Sequence, residues 1–249
     1  MPSKLFTDWL EPATSTGHVR IYRERAKSRA AGLKELGELL VDHFVGNETV
    51  LTMGGYPKAA NTIRNSLPTG KRTQSGDLGE LIATEYVDAQ TQFRVPIRKL
   101  RWKSDRKMPM HGNDVIAVEK KKSSVRVLKG ESKSAATVSK ATISGAEEGL
   151  DRDDGRPNPS TLAFIAKRLY EAGRDAEGKV FEDLQANRAI AAKNVEHLIF
   201  TLAGKDPSRV LAGVKKPKRV GIKRGVAAVV IPDHASFIEA VYSMYGSKS

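Results

Sequence analysis

The stretch HGNDVIAVEKKKSSVRVLKGESKS, residues 111–134, decides the fold class of this 249-residue chain. Apolar and polar residues alternate in two runs, residues 113–119 and 125–134, and the polar run KKKSS separates them. Alternation with a period of two is typical of β-strands, and a short polar connection between two such runs is typical of a turn. The sequence therefore predicts a β-hairpin in which Asp114, on the first strand, lies near Glu131 on the second.

Two carboxylates and an ammonium group would meet on this hairpin. Glu131 and Lys133 are two positions apart, so a strand directs both side chains to the same face, roughly 6.6 Å apart along the chain. Asp114 would add a second carboxylate, and like charges this close repel unless a cation lies between them. A hard divalent cation relieves that repulsion, and Mg²⁺, for which Mn²⁺ can substitute, is the natural candidate.

This combination of groups suits the hydrolysis of a phosphodiester bond. A bound metal ion lowers the pKa of water and polarises the phosphoryl oxygen, while a lysine stabilises the negative charge that develops. The spacing alone is equally compatible with a solvated strand end that carries a surface ion pair between Glu131 and Lys133. The charge of the whole chain favours the catalytic interpretation.

The chain holds 42 Lys and Arg against 29 Asp and Glu, a formal net charge of +13. Two segments carry most of the excess: residues 94–133 with thirteen basic and four acidic side chains, and residues 205–224 with eight and one. This favours DNA or RNA as a partner over a membrane, because no basic amphipathic anchor helix stands out. For residues 205–224, a solvated connection or a face for an acidic protein are alternatives. The expected phosphate contacts are Arg98, Arg101, Lys103, Lys107, Lys215, Lys216, Lys218 and Arg219.

The composition argues against several other kinds of site. The chain has no cysteine, which excludes disulfides and thiolate-bound metals, and no two histidines have the HxxxH spacing of a zinc site. It also lacks a GxxxxGK[ST] loop, so we expect no ATP-driven motor in this chain. The N-terminus lacks the apolar stretch of a signal peptide, and no apolar run is long enough to span a bilayer. We therefore expect a cytoplasmic location and no membrane partner.

The rest of the sequence reads as a mixture of helices and strands. Leucines at helical spacing predict a helix over residues 29–44, and a second helix should begin at Ser75 or Asp77. Alternating basic and apolar residues predict a strand over 93–102 with one positive, solvated face. Further strands are expected at 19–22, 196–204 and 225–232, and further helices at 134–150, 161–173, 179–193 and 234–246.

This order predicts an α/β fold with a central mixed sheet flanked by helices. We divide the chain into an α-rich N-terminal region, residues 1–70, packed on an α/β domain, residues 71–249. One continuous domain over residues 1–249 is the alternative.

Three short motifs carry a resemblance to a known family. Glu80 in GDLGE, Asp114 in GND and Glu131-Ser132-Lys133 in GESK resemble the PD-(D/E)XK nuclease superfamily, in the order helix Glu, strand Asp, strand Glu-x-Lys. More closely, LGELIATEYV, HGNDVIAV and LKGESKSAA resemble the DUF1837 proteins, which include HamA, the nuclease subunit of Hachiman anti-phage defence. The resemblance covers about residues 75–150. It departs from the superfamily at Asn113, where a proline often precedes the aspartate.

The resemblance implies a restriction-endonuclease-like core and a role for each motif residue. Asp114 and Glu131 would bind Mg²⁺, Glu80 would reach the ion directly or through water, and Lys133 would position the nucleophile. The activity would be DNA cleavage or nicking, and the partner a superfamily-2 helicase subunit of the HamB type. Two alternatives stay open, namely a non-catalytic nucleic-acid-binding or regulatory subunit with the same fold, and an RNase.

Overall fold

A mixed β-sheet forms the centre of the protein. The computed structural model describes residues 3–108, 112–121, 124–186 and 190–245. Within them the strands, in chain order, are β1 Leu10–Thr16, β2 Val19–Glu24, β3 Val115–Lys121, β4 Ser124–Ala135, β5 Val195–Ala203 and β6 Lys223–Val230. Their order across the sheet is β1–β2–β6–β5–β4–β3. The four inner strands are parallel and the two edge strands are antiparallel to their neighbours, which confirms the predicted mixed sheet.

Helices cover both faces of the sheet. They are α1 Arg29–Phe44, α2 Asn47–Thr52, α3 Tyr56–Ser66, α4 Lys71–Gln90, α5 Lys140–Asp151, α6 Pro159–Glu171, α7 Asp175–Ala186, α8 Ser208–Leu211 and α9 His234–Ser243. One core cluster joins α1, α4 and α9 to one face, and two smaller clusters join α5 and α8, and α6 and α7, to the other face. None of the helices described is long and apolar enough to cross a bilayer.

Helix α4 lies inside the protein instead of on its surface. Every residue from Asp77 to Val87 is buried, including three acids. A helix that is buried all round must be apolar or have partners for its charges. The predicted start at Ser75 or Asp77 is wrong: the helix begins at Lys71, because Gln74 already donates its backbone N–H to the carbonyl of Gly70.

The strand predicted over residues 93–102 is also wrong. Arg94 makes an isolated β-bridge with Val118, and Lys99–Trp102 forms a 3₁₀-helix. Pro96 has no N–H to give to a ladder, which is one reason the pairing does not continue. Alternation here reflects a different environment, in which Arg98 and Lys99 face acids of α4.

The N-terminal region shares the sheet with the rest of the chain. Residues 3–70 contain α1, α2 and α3, as expected for an α-rich region, and β2 confirms the strand predicted at 19–22. Strand β1, which the sequence did not reveal, forms the edge beside it. Because β2 pairs with β6, residues on both sides of position 70 belong to one sheet.

One row across the sheet is basic where apolar residues are expected. Lys129, His197 and Arg224 are register neighbours on β4, β5 and β6, and all three are buried. The Nε2 atom of His197 lies 2.7 Å from the carbonyl oxygen of Gly155, and its Nδ1 lies 3.2 Å from the guanidinium of Arg224. Since arginine only donates, Nδ1 accepts and Nε2 carries the proton, so the ring is neutral. Burial, with a contribution from Arg224, lowers the pKa of His197 to about 4.

The neutral state of His197 makes the stability of the protein sensitive to acid. The unfolded chain protonates this group near pH 6.5, so its stabilising contribution is present above that pH and is lost as the pH falls towards 4, by about 3 kcal/mol. His197→Gln, which stays neutral, should lose less stability than the parent between pH 6.5 and 4, measured by urea unfolding. The exposed His18→Gln should follow the parent, and an unchanged pH dependence in His197→Gln would contradict the assignment.

Candidate active site

The β3–β4 hairpin brings Asp114 to Glu131, as predicted. Val115 pairs with Gly130, which puts Asp114 one position beyond the ladder and level with Glu131. The backbone N–H of Ser132 donates to Oδ2 of Asp114 at 2.9 Å. This bond holds the carboxylate of Asp114 beside β4. The centre of the connecting turn, residues 122–123, lies outside the described residues.

Glu131 and Lys133 point to the same face of β4, the face that α5 covers. The Nζ atom of Lys133 donates to Oε2 of Glu131 at 3.2 Å, and the side chains of Lys133 and Glu131 are 31% and 13% exposed. The lysine therefore reaches solvent while the carboxylate is mostly enclosed. Gly149 of α5 lies against Glu131: a Cβ atom at this glycine would stand 2.9 Å from the carboxyl carbon.

The electrostatics of Glu131 reflect two acids in a confined space. Burial raises the pKa of Glu131, and the neighbouring Asp114 raises it further, whereas Lys133 and Lys129 oppose the shift. Ionisation of Glu131 therefore costs free energy in the folded protein. A divalent cation between the two carboxylates would remove that cost.

Glu80 lies on buried helix α4 and is connected to the hairpin through Lys99. The Nζ atom of Lys99 is 3.5 Å from Oε1 of Glu80 and donates to the carbonyl of Asn113 at 2.7 Å. Burial raises the pKa of Glu80 to about 8, with additions from Asp114 and Asp77, although Lys99 acts in the opposite sense. Glu80 is thus largely protonated at neutral pH.

The donor set fits a magnesium ion held by two carboxylates. Among the described residues no three acidic or histidine side chains are close enough together to hold a metal ion, so Glu80 does not join Asp114 and Glu131 in a compact cluster. Mg²⁺ usually keeps several waters and takes only one or two protein carboxylates plus phosphate oxygens. Asp114 and Glu131 are the side chains that could serve in this way.

Three of the four phosphate contacts expected within residues 94–133 have protein partners instead. Lys103 pairs with Asp77 in the interior, and its side chain is 3% exposed. Arg98 pairs with Glu85 and Asp88 of α4, and Arg101 donates to the carbonyl of Asp42 at 2.7 Å. The buried acids of α4 need nearby cations, which explains Lys103 and Arg98, whereas Arg101 reaches the partly exposed Asp42 of α1. Lys107, by contrast, is exposed.

The basic segment 205–224 carries several lysines that are exposed to solvent. Its backbone is tied to α5, because the N–H of Lys215 donates to Oε1 of Glu147 at 2.6 Å. The side chains of Lys215, Lys216 and Lys218 are exposed, whereas Arg219 pairs with Asp154. Lys215 and Lys216 line a cavity of about 610 Å³ together with His18 and other residues of the segment 214–224.

Sequence reasoning missed the basic row and Gly149. A charged residue inside an apolar strand is a visible signal for Lys129, His197 and Arg224. Their meeting in one row depends on the register of three strands, which no local pattern gives. Gly149 had no signal beyond being a glycine in a helix.

The protein is a mixed α/β protein whose β3–β4 hairpin, at one edge of the sheet, carries two acids and a lysine. A sequence model of the HamA family matches residues 4–244, and the chain therefore belongs to the HamA family. The Hachiman protein HamA of Bacillus cereus is 33% identical over 138 residues, which are 55% of this chain and 49% of that relative. The chain thus matches about half the length of the relative.

The raised pKa of Glu80 predicts a gain in stability when its charge is removed. The fold favours the protonated form of Glu80. The contribution of this form to stability is present below pH 4.5 and is lost as the pH rises through 8. With metal chelated, the free energy of unfolding of Glu80→Gln should exceed that of the parent. This excess should be larger at pH 9 than at pH 5 by on the order of 3 kcal/mol. Urea unfolding at both values measures this. The exposed Glu148→Gln is the control, and an equal difference at both pH values refutes the prediction.

Proposed function

We propose that this HamA-family protein is a Mg²⁺-dependent DNA nuclease, an endonuclease or nickase with a PD-(D/E)XK-type core, that serves as the effector of Hachiman anti-phage defence. The observation that carries the proposal is the meeting of Asp114, Glu131 and Lys133 on one hairpin of a basic chain. The mixed sheet and the glutamate on α4 support it, since they follow the order of the superfamily's motifs.

Mg²⁺, for which Mn²⁺ can substitute, would be held by Asp114 and Glu131, with Glu80 joining through water. When bound, the ion would lower the pKa of a water molecule and polarise the phosphoryl oxygen. The backbone N–H of Ser132 keeps the Asp114 carboxylate in place for this task. Lys99 lies 3.5 Å from the carboxyl group of Glu80 and donates to the carbonyl of Asn113, the residue before Asp114.

Lys133 is the side chain that would position the nucleophile. Its Nζ atom stands 3.2 Å from Glu131 and its side chain is partly open to solvent, so it can hold an attacking water and meet a phosphate at once. A fixed ammonium group near the reacting phosphate also stabilises the negative charge of the transition state. Glu131 therefore has two tasks, which are to bind the ion and to orient Lys133.

The HamA-family membership supports the place of this activity in defence. The Bacillus cereus relative is described as a Hachiman protein. A superfamily-2 helicase subunit, HamB-like, would supply an ATP-driven motor and would restrain the nuclease until DNA is engaged. The supporting experiment is co-purification with the protein of the neighbouring reading frame, followed by comparison of cleavage by the chain alone and by the complex.

We expect the site residues to be required for DNA cleavage. Glu131→Gln and Lys133→Gln should each lower the rate of plasmid cleavage in Mg²⁺ by about 100-fold or more, because one loses a metal ligand and the other a fixed charge. The exposed Glu148→Gln and Lys140→Gln are matched controls on α5 and should cleave like the parent. Parent-like cleavage by both site variants would remove these residues from the mechanism.

Two other functions remain distinguishable from DNA cleavage. A non-catalytic subunit would leave DNA and RNA intact and would show no rise in Tm with Mn²⁺, because its acids would be satisfied by protein cations alone. An RNase would cleave RNA in preference to DNA under the same conditions. Nothing in the sequence reads a 2′-hydroxyl, so DNA is the favoured substrate.

The free lysines of segment 205–224 should carry a measurable part of DNA binding. Replacing Lys215, Lys216 and Lys218 by glutamine should weaken binding and reduce the slope of log K against log salt by roughly 0.9 for each phosphate that is no longer neutralised. The matched control replaces the exposed Lys4, Lys34 and Lys58. An equal loss of affinity in both triple variants would show that only the net charge matters.

A further inference from the structure

Glu131 is held by α5 as well as by its own strand. Helix α5 runs across the face of β4 on which Glu131 and Lys133 lie, and Gly149 is the residue that meets the carboxyl group. A Cβ atom there would stand 2.9 Å from the carboxyl carbon and 3.1 and 3.2 Å from its two oxygens. Contacts under about 3 Å force one partner to move, and the partner here is the end of a flexible side chain.

The end of α5 that contains Gly149 is fixed by the buried basic row. Lys129 donates from Nζ to the carbonyl of Leu150 at 2.9 Å and to that of Arg152 at 2.8 Å. Arg224 donates to Asp151 at 2.6 Å and His197 to the carbonyl of Gly155 at 2.7 Å. The last carbonyls of a helix have no partner within it, so side chains that take them set where the helix ends.

Three strands therefore hold one short segment of chain. The row is buried, and each of its members bonds to residues 150–155, directly after the glycine that touches Glu131, while Arg224 also donates to the carbonyl of Lys215 at 3.1 Å. Burying a lysine and an arginine is costly even when carbonyls and an aspartate satisfy them, and a cap for one helix end could be made by a single lysine. The row lies two register positions from Glu131 on the same face of β4, and the segment that it holds directly follows Gly149.

We propose that Gly149 and the row Lys129, His197 and Arg224 are positioning residues for Glu131. The row fixes the end of α5, and Gly149 leaves the space in which the carboxylate stands toward Asp114 and Lys133. This inference rests on the proposed nuclease function and names the residues that orient its central ligand.

A pair of glycines on one helix tests the inference. Gly145 lies one helical turn before Gly149, and a Cβ atom there would meet nothing within 4 Å. Both Gly149→Ala and Gly145→Ala raise helix propensity, so neither should lower the Tm of the metal-free protein. Gly149→Ala should lower kcat for DNA cleavage roughly 10- to 100-fold and abolish the Tm rise caused by Mn²⁺, with the Kd for DNA in EDTA unchanged. Gly145→Ala should match the parent in all of these measurements.

Two results would overturn the assignment of Gly149. One is cleavage and Mn²⁺ stabilisation in Gly149→Ala equal to those of Gly145→Ala. The other is a fall in metal-free Tm in Gly149→Ala alone, which would make the glycine a packing residue. If the parent itself cleaves no nucleic acid, the proposed function fails; crystal structures of the parent and Gly149→Ala then decide, since an unmoved Glu131 carboxylate would refute the positioning role.

Hydrogen exchange together with DNA cleavage tests the role of the row Lys129, His197 and Arg224. Arg224→Lys keeps the charge but shortens the reach to Asp151, so the backbone amides of residues 148–152 should exchange hydrogen faster and cleavage should fall. Faster exchange with parent-like cleavage, or slower cleavage with unchanged exchange, would separate the row from Glu131 and overturn its part in the proposal.

Discussion

The need to neutralise the acids of α4 constrains much of this structure. Asp77, Glu80 and Glu85 lie on a helix that is buried on every side, and a buried carboxylate without a partner costs several kcal/mol. The cations come from residues 98–103, which follow the helix in sequence and fold back along it. This explains why that segment turns inward instead of forming a strand. It also explains why Lys99 links Glu80 to the hairpin that carries the candidate site.

The basic residues of the chain therefore fall into two groups with different roles. Some cations, among them Arg98, Lys103 and Arg224, balance buried acids or cap a helix and are part of the folded core. Others, such as Lys215, Lys216 and Lys218, are held by their backbone and leave their ammonium groups in solvent. Net charge alone does not distinguish the two groups, so the electrostatic argument for nucleic acid rests on the second group.

Sequence periodicity predicted the helices and strands whose formation depends on neighbouring residues. The β3–β4 hairpin, α1, α5 and the strand β5 follow from periodicity, and Asp114, Glu131 and Lys133 meet because a hairpin allows few arrangements. The segment 93–102 was misjudged, since alternating basic and apolar residues look the same whether the cations face solvent or buried acids. Strand β1 was missed because its pairing partner, not its composition, makes it a strand. The basic row and its hold on α5 depend on long-range register, for which sequence spacing carries no information.

The pairing of β2 with β6 has a consequence for the order of events during folding. About 200 residues separate the two strands, so the sheet closes only when the late strand is available. Strand β6 also carries Arg224, which holds the end of α5. The hairpin with its acids and lysine can form from neighbouring residues, but the segment that lies against Glu131 is held in place only when β6 has joined the sheet. The candidate site is therefore complete only after a long-range step of folding.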